Sequence, residues 1–477
     1  MRFLGLDLGT QSLKAVVCDE RLSVLGQHSV GYPVSRPAPD SAEQDPHAWE
    51  AALAPAIGRA LAAAGCRPDA IAAIAVCGQL DGCIAIGADG AAVHPALIWQ
   101  DRRASEQVKL VAAADVFATT GQVADASHMA PKIVWLREHG VKAARFHQPV
   151  SYLVARLTGE HVMDPSLAST TMLLDLSTAR WAPKLLDAFC LTEAELPALR
   201  ETCAIAGELT AEGAALTGLV AGTRVAVGTG DDFANVLGAG ITEPGTLVCA
   251  IGTAEVVGVI SPTAILDRVG AEPMVETHLF PTGGYFIEHP GWIAGGAVRW
   301  GAGLFGLDDE GFDALARSGS DGLTFLPALA GQMTPVWRPH VRGTLHGLSL
   351  EHGREQIAAA IFEGLTFATR DVAERLRAMG LAFGEVRLVG GGARARNWCR
   401  LRASALGLVH RTAANIDGSP LAAAMIAAVA AGAQPDLGAA ARLVGSPSES
   451  YAPEDNLDEG YARYQALVSR LALSGDV

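Results

Sequence analysis

The chain has 477 residues, of which 50% are hydrophobic and 18% are charged. At about 150 residues per domain, this length predicts two or three domains with an ample core and little disorder. The formal net charge of −15 argues against a protein that follows a nucleic-acid backbone or an anionic membrane surface. A bound phosphate group must then be held by local devices, such as backbone N–H groups, a metal ion or a few basic side chains.

The cysteine usage and the N-terminal segment bear on the cellular compartment. The 8 cysteines are scattered without C-x-x-C spacing, which is typical of buried, reduced thiols. The chain runs from Met1 into a strand-like segment that contains Asp7, and this is not the pattern of a signal peptide. The longest apolar stretch, 421–433, is too short to span a bilayer. We therefore expect a cytoplasmic protein with neither a membrane nor a nucleic acid as its partner.

The first elements of the chain predict a covered sheet. Segment 3–19 contains two apolar strands joined by a tight Gly-Thr turn, and 22–30 adds a third strand. A helical pattern over 48–64 precedes a short apolar strand at 71–76. Apolar strands flanked by helices indicate a sheet that is covered on its faces.

The second half of the chain repeats this pattern. Segment 245–260 is again a strand, a Gly-Thr turn and a strand, so 8–10 and 251–253 share one context. This predicts an internal repeat at the scale of a domain. We place the two domains at 1–241 and 242–477. Because no low-complexity linker separates them, we expect the domains to pack closely with a cleft between them.

The C-terminal half also alternates helices with strands. Helical periodicity covers 354–379, and a strand at 386–389 precedes a helix over 394–406. Pro420 is predicted to open an alanine-rich helix. The alternation places the whole chain in the α/β class.

Glycine-rich turns follow apolar strands at four places, beginning at Asp7, Gly228, Ile251 and Val389. A turn without Cβ atoms lets backbone N–H groups converge on an anion. A carboxylate beside such a turn repels phosphate unless a divalent cation intervenes or a proton must be removed. Our hypothesis is that Asp7 organises hydrated Mg²⁺ and that Asp231 accepts a proton from a substrate hydroxyl.

Simpler interpretations of the same residues remain open. A single glycine turn after a strand is usually only a turn, and Asp231 or Asp232 could cap a helix that starts at Phe233. The chain contains no G-x-x-x-x-G-K-[ST] motif, which excludes a P-loop. A G-x-G-x-x-G motif after a strand and a His-Glu-x-x-His motif are absent as well, which argues against a Rossmann dehydrogenase and a zinc peptidase.

Taken together, these segments resemble the FGGY family of carbohydrate kinases, over nearly the whole chain. The resemblance is carried, in the order of the family, by 7–14, 127–135, 343–348 with 356–363, and 390–394. Within 127–135, Met129 stands where the family usually has Pro, Ser or Thr. The resemblance implies two ribonuclease-H-like domains, of the type shared by actin, hexokinase and Hsp70, with a cleft between the domains.

Within the family, the chain is most similar to xylulokinases. Segments 38–49 and 97–102 look like their early loop and their Trp-Asn/Gln-Asp-x-Arg stretch. Two positions depart from the pattern. Leu80-Asp81 replaces Met-His, which should change the sugar hydroxyl that is recognised, and Asp232 replaces an Asn. Asp81 could also belong to a plain Asp-Gly turn.

The resemblance assigns roles to individual residues. It implies that Asp231 is the general base and that Asp7 binds a metal ion through water. The implied nucleotide and phosphate contacts are Gly9, Thr10, Gln11, Lys14, Gly252, Thr253, Gly390, Gly391, Gly392 and Asn397. The implied substrate contacts are Gln79, Leu80, Asp81, Trp99, Asp101, Asp231 and Asp232. Trp99 is also compatible with an ordinary core position.

The function implied by the resemblance is phosphorylation of a ketopentose by ATP with Mg²⁺, converting D-xylulose to D-xylulose 5-phosphate. The partners would be the sugar and ATP, and the resemblance allows a homodimer. One alternative keeps the reaction but changes the acceptor to ribulose, L-xylulose or a polyol such as glycerol. An alternative from another class is an ATP-binding switch of the actin or Hsp70 type, which would bind ATP without turnover stimulated by a sugar.

Overall fold

The computed structural model describes residues 1–316, 319–338 and 340–473. The strands are β1 (Arg2–Leu8), β2 (Ser12–Cys18), β3 (Val24–Gly31), β4 (Glu43–Gln44), β5 (Ile71–Gly78), β6 (Ile84–Ile86), β7 (Ala96–Leu97), β8 (Arg145–His147), β9 (Val162–Met163), β10 (Leu174–Asp175), β11 (Arg180–Trp181), β12 (Ala198–Leu199), β13 (Ile205–Glu208), β14 (Arg224–Ala226), β15 (Thr229–Gly230), β16 (Thr246–Ile251), β17 (Ala254–Ser261), β18 (Glu276–Leu279), β19 (Tyr285–Ile293), β20 (Thr324–Leu326), β21 (Thr344–His346), β22 (Glu385–Val389), β23 (Val409–Thr412) and β24 (Ser450–Tyr451).

The helices are α1 (Pro46–Ala63), α2 (Ala113–Thr120), α3 (Met129–Glu138), α4 (Pro149–Thr158), α5 (Pro165–Ala168), α6 (Pro183–Ala188), α7 (Ala211–Thr217), α8 (Asp231–Gly238), α9 (Gly295–Leu304), α10 (Asp309–Leu315), α11 (Arg354–Ala378), α12 (Arg396–Leu406), α13 (Gly418–Ala430), α14 (Leu437–Ala441) and α15 (Asp458–Leu473). In the described ranges, no helix combines the length and the apolarity that crossing a membrane requires.

Two mixed sheets organise these elements, and they share one topology. The first runs in the order β13-β14-β5-β1-β2-β3, and the second in the order β24-β23-β22-β16-β17-β19 with β18 added at its edge. In each sheet a hairpin is antiparallel, β1 with β2 and β16 with β17. The first strand of each hairpin is parallel to the next strand inward, β5 or β22. The predicted α/β class and the internal repeat are confirmed.

Strand β1 is apolar almost throughout because both faces of its sheet are covered. Phe3, Leu4, Leu6 and Leu8 are fully buried. Helix α1 packs on β2 and β3, whereas α13 packs on β1 and β5. A strand buried on both faces loses the alternation of apolar and polar residues that marks a half-exposed strand.

Helix α13 comes from the second half of the chain but lies on the first sheet. A Cβ atom at Gly5 of β1 would lie 2.1 Å from the carbonyl oxygen of Pro420. A Cβ atom at Gly238 of α8 would lie 2.0 Å from the carbonyl oxygen of Gly418. Glycine at these two positions therefore lets the backbones of the two halves of the chain touch. We call each half of the chain, with its sheet, a lobe, and these contacts fix how the two lobes meet.

Two helix starts differ from the predictions. Helix α13 begins at Gly418, before Pro420, because proline is tolerated within a first turn whose N–H groups lack intrahelical acceptors. Helix α12 begins at Arg396, after a separate 3-10 turn over Gly391–Arg394.

The close contact at Gly5 leads to a prediction about stability. We expect Gly5→Ala to lower the free energy of unfolding by about 1–3 kcal/mol, because the added methyl must displace the backbone of α13. Gly58→Ala, inside α1 with no neighbouring atom within 4 Å of the new Cβ, is the matched control and should be neutral or stabilising by about 0.5–1 kcal/mol. Urea denaturation of the two variants and the parent measures the difference. Equal stability of Gly5→Ala and the parent would contradict this account of the contact between the lobes.

Candidate active site

A cavity of about 400 Å³ lies where the two lobes meet, and most of the predicted site residues line it. The predicted residues in its wall are Asp7, Thr10, Gln11, Lys14, Gln79, Leu80, Asp81, Trp99, Asp231, Asp232, Gly252, Thr253, Gly390 and Gly391. Residues far apart in the chain are therefore brought to one place by the packing of the two halves of the chain.

Asp231 stands at the start of α8, directly after β15, which pairs with β5. Burial raises the pKa of Asp231 well above its ordinary value, and the carboxylates of Asp232 and Asp7 raise it further. Burial, followed by the charge of Asp81, raises the pKa of Asp232 to about 7. A carboxylate with a raised pKa is a stronger base than a free one, which suits it to proton transfer at neutral pH.

In the turn of the first hairpin, 9–11, the N–H of the glycine is hydrogen-bonded within the turn. The N–H of Gly9 donates to the carbonyl of Ser12 at 3.0 Å, which closes the turn. The N–H groups of Thr10 and Gln11 donate to no acceptor in the described part of the chain. The Thr10 hydroxyl accepts from Trp99 Nε1 at 2.9 Å, which holds the tip of the turn against the cavity wall.

The second hairpin repeats this arrangement. The N–H of Gly252 donates to the carbonyl of Ala254 at 2.8 Å, and the Thr253 hydroxyl accepts from Arg299 at 2.9 Å. The N–H of Gly390 donates to the carbonyl of Ile416 at 2.8 Å. Gly9 and Gly252 thus close their turns, whereas Gly390 is tied to the segment before α13. The donors left for an anion are the amides that follow these glycines.

Charged and polar side chains join the lobes beside the first hairpin. Asp7 and Lys14 face each other across β1 and β2. Lys14 Nζ lies 2.7 Å from Asp417 Oδ1, and the Ser419 hydroxyl donates to Asp7 Oδ1 at 2.8 Å. Burial raises the pKa of Asp7, although Ser419 and Lys14 oppose this shift. Asp417 and Ser419, at the start of α13, were not predicted as site residues.

Two side-chain amides connect Gln79 to the first hairpin. Gln79 Nε2 donates to Gln44 Oε1 at 2.8 Å, and Gln44 Nε2 donates to the carbonyl of Thr10 at 2.6 Å. Gln79 is 2% exposed, and its Oε1 accepts no hydrogen bond from any residue that the structure describes. This oxygen is available to a ligand in the cavity.

Asp81 lies in an Asp-Gly turn and also lines the cavity. Its backbone is left-handed at φ 60°, as in an Asp-Gly turn, and its N–H donates to Gln148 Oε1 at 2.9 Å. Lys132 Nζ donates to the Asp81 carbonyl at 2.7 Å. The Asp81 carboxylate lies in the cavity wall and contacts His128 Nδ1 at 3.1 Å.

Sequence reasoning missed a group of ionisable residues at the same end of the cavity. Glu276 and His278 lie on β18, and Glu288 lies on β19. Glu276 Oε1 is 3.4 Å from His128 Nε2, and Glu276 Oε2 is 3.5 Å from His278 Nε2. The available signal was the presence of charged residues among apolar ones in two strand-like segments.

The charges of this group are interdependent. Burial lowers the pKa of His128, but the carboxylates of Asp81 and Glu276 outweigh burial and raise it well above its ordinary value. Burial raises the pKa of Glu276, yet the His128 imidazolium outweighs this and holds it far below the ordinary value. Burial and then the charges of Asp232 and Glu276 raise the pKa of Glu288 well above the ordinary value.

Four predicted contacts do not line this cavity, and two of them, Asp101 and Gly9, line neither this cavity nor the larger one described below. The Asp101 carboxylate is fully buried and accepts from the Ala42 N–H and from Arg103 Nη2, each at 2.7 Å. Gly9 lies in its turn with its carbonyl accepting from the Tyr32 hydroxyl at 2.5 Å. Both residues are placed to hold neighbouring parts of the site.

Gly392 and Asn397 line a second cavity of about 1000 Å³, which shares 251–253 and Gly391 with the first. The Asn397 side chain donates to the carbonyl of Asp313 at 3.0 Å. The turn at 251–253 therefore lies between the two cavities and contributes to the wall of each.

Comparison with known proteins identifies the family. The FGGY family of carbohydrate kinases matches the chain with its N-terminal domain over residues 2–238 and its C-terminal domain over residues 247–431. A xylulose kinase from Escherichia coli is 30% identical over 91% of both chains, and a glycerol kinase from Gloeobacter violaceus is 30% identical over 98% of this chain and 96% of its own length. The crystal structure of a xyloylose kinase from Brucella ovis is 30% identical, covers 99% of both chains and superposes with a TM-score of 0.90. The chain therefore belongs to the FGGY family of carbohydrate kinases and is an ATP-dependent sugar kinase.

Proposed function

We propose that this kinase transfers the γ-phosphoryl group of ATP to a ketopentose, converting D-xylulose to D-xylulose 5-phosphate, with Asp231 as the general base. The observation that carries the proposal is the position of Asp231, in one cavity with Gln79 and Asp81 on the sugar side and with both hairpin turns. Xylulose kinases among the relatives support this acceptor. Residues 1–241 would carry the sugar site and 242–477 most of the nucleotide site.

Phosphoryl transfer needs positioning and charge stabilisation more than covalent chemistry from the protein. The unpaired amides of Thr10 and Gln11 would hold the γ-phosphate region from the first lobe. The turn at 251–253 and the glycines that begin at Gly390 would hold the remaining phosphates from the second lobe. The larger cavity beside Asn397, with a volume of about 1000 Å³, has room for the nucleoside.

Asp231 would take the proton of the attacking hydroxyl. Its place at the first position of α8 puts the carboxylate near the positive end of a helix dipole, which favours the charged form. Burial and the neighbouring carboxylates act in the opposite direction. The result is a base strong enough to accept a proton from an alcohol whose oxygen is already attacking phosphorus.

The residues present also fit a magnesium ion that arrives with the nucleotide. Mg²⁺ prefers oxygen ligands, keeps several waters and binds through one or two carboxylates together with substrate phosphates. Asp7 lines the same cavity as Asp231, and it would hold the ion through water. When bound, Mg²⁺ neutralises charge on the transferred phosphoryl group.

A second candidate acceptor is another ketose or a polyol such as ribulose, L-xylulose or glycerol. Asp81 in the place of the usual His, with Asp232 beside the base, favours this alternative. Glycerol kinases among the relatives are compatible with it as well.

Removal of the Asp231 carboxylate tests its role as the base. Asp231→Asn should lower kcat for the sugar by about 10²- to 10⁴-fold because no carboxylate remains to take the proton. The affinity for ATP should remain unchanged, as measured by calorimetry beside a coupled assay for ADP release. Asp69→Asn, an exposed carboxylate at the opposite end of β5, is the matched control and should retain full activity. Full turnover by Asp231→Asn would refute the role of Asp231.

The raised pKa of Asp231 predicts how kcat/KM for the acceptor depends on pH. Asp231 acts only when it is deprotonated, so kcat/KM for the acceptor should rise with pH through the raised pKa of this residue. Asp232→Asn removes the neighbouring charge and should move this acidic limb to lower pH, whereas Asp69→Asn should leave it in place. Complete pH profiles of the three proteins give the position of the limb independently of the overall rate. A limb at the same pH in Asp232→Asn would contradict the coupling.

A further inference from the structure

Glu288 is a buried carboxyl whose hydrogen bonding is incomplete. Its residue is 2% exposed and lines the cavity. Glu288 Oε1 lies 3.6 Å from His278 Nε2, but Oε2 accepts no hydrogen bond from any part of the chain that the structure describes. A buried acceptor left unpaired costs about 1–3 kcal/mol, and more when it is charged. An acceptor of this kind that faces a cavity points to a ligand that completes it.

The position of Glu288 in the sheet adds to the free-energy cost of burying this side chain. Glu276 of β18 lies directly opposite Glu288 of β19 in the antiparallel register. Like charges directly opposite on one face destabilise a strand pair. On the other neighbouring strand the partner is Gly258, where a Cβ atom would lie 2.7 Å from the Cβ of Glu288. Glu288 therefore lowers the stability of the sheet. This favours a role for Glu288 in binding a ligand over a role in stabilising the fold.

We infer that Glu288 is a specificity-determining residue that accepts a hydrogen bond, through Oε2, from a hydroxyl of the acceptor other than the one that Asp231 deprotonates. This inference rests on the proposed function. The unpaired Gln79 Oε1 lies in the same cavity but on the first lobe. The acceptor molecule is then bound by hydrogen-bond acceptors from both lobes, Gln79 from the first and Glu288 from the second.

This arrangement defines the chemical class of the acceptor. Unpaired acceptors require a ligand that donates, and each hydroxyl of a sugar or polyol does so. A carboxylate group on a ligand can only accept hydrogen bonds. In this cavity it would lie among the side chains of Asp81, Asp232, Glu276 and Glu288. The imidazoles of His128 and His278 already contact Asp81, Glu276 and Glu288. The site therefore binds uncharged polyhydroxyl compounds and excludes sugar acids.

The experiment compares the parent enzyme with Glu288→Gln and Glu288→Ala on D-xylulose, D-ribulose, glycerol, xylitol and D-gluconate. For every uncharged acceptor that the parent phosphorylates, KM should rise roughly ten- to a hundredfold in Glu288→Ala, with a smaller rise in Glu288→Gln. The KM for ATP should remain unchanged. Glu454→Gln, an exposed carboxylate outside both cavities, is the matched control and should behave like the parent. D-gluconate should not be phosphorylated by the parent.

Deoxy analogues of the best acceptor locate the contact. Removal of one hydroxyl should raise KM in the parent but not in Glu288→Ala, because the partner of that hydroxyl is already missing. The melting temperature of Glu288→Gln should equal or exceed that of the parent, since the variant relieves the repulsion from Glu276. A structural role would instead lower the melting temperature and leave KM unchanged, and this result would overturn the inference.

The outcomes separate this inference from the proposed function. An unchanged acceptor KM in both Glu288 variants, or turnover of D-gluconate by the parent, overturns the inference and leaves the kinase reaction standing. Turnover of a polyol but not of D-xylulose, with the expected Glu288 effect, supports the inference and overturns the proposed substrate. Failure of the parent to phosphorylate any member of the panel overturns both.

Discussion

The packing of α13 against β1 is the contact on which the site depends. Backbone meets backbone at Gly5 and Gly238, and this brings the start of α13 beside the first hairpin. Ser419 then reaches Asp7, and Asp417 reaches Lys14. The cavity is therefore a consequence of how the two halves pack, and its carboxylates are withdrawn from water because an apolar helix covers the sheet behind them. A small change in that packing would alter both the shape and the protonation of the site.

Burying several carboxylates at one end of the cavity costs free energy, and the structure offsets this free energy in two ways. Imidazoles lie between carboxylates, as His128 does between Asp81 and Glu276. Elsewhere burial raises the pKa of a carboxyl, and for Asp232 it raises the pKa to about 7, so that this group can retain a proton near neutral pH. A protonated carboxyl donates as well as accepts a hydrogen bond, which suits recognition of hydroxyl groups.

Local patterns in the sequence predicted most of the fold. The hairpins around Gly9 and Gly252 and the long helix α11 follow from periodicity and turn chemistry, which act over a few residues. The sequence could not show which sheet α13 covers, since an alanine-rich helix fits either. It also could not show that Glu288 reaches the cavity that holds Asp231, because strand pairing over long separations creates this proximity. Asp101 illustrates the opposite case, in which a motif residue turns inward to Arg103.

The two hairpins show how a duplicated unit acquires different tasks. In the first hairpin, the strand position before the turn pairs Asp7 with Lys14, and in the second the corresponding pair is Ala250 with Val256. All of these residues line the cavity. If the second copy had kept its carboxylate, a triphosphate between the turns would meet an acid from each side, and repulsion between charges is strong where water is excluded. Loss of charge in one copy leaves a neutral turn whose backbone amides can face phosphate. The asymmetry of charge between two similar hairpins therefore places one carboxylate, Asp7, rather than two beside a polyanion held between the turns.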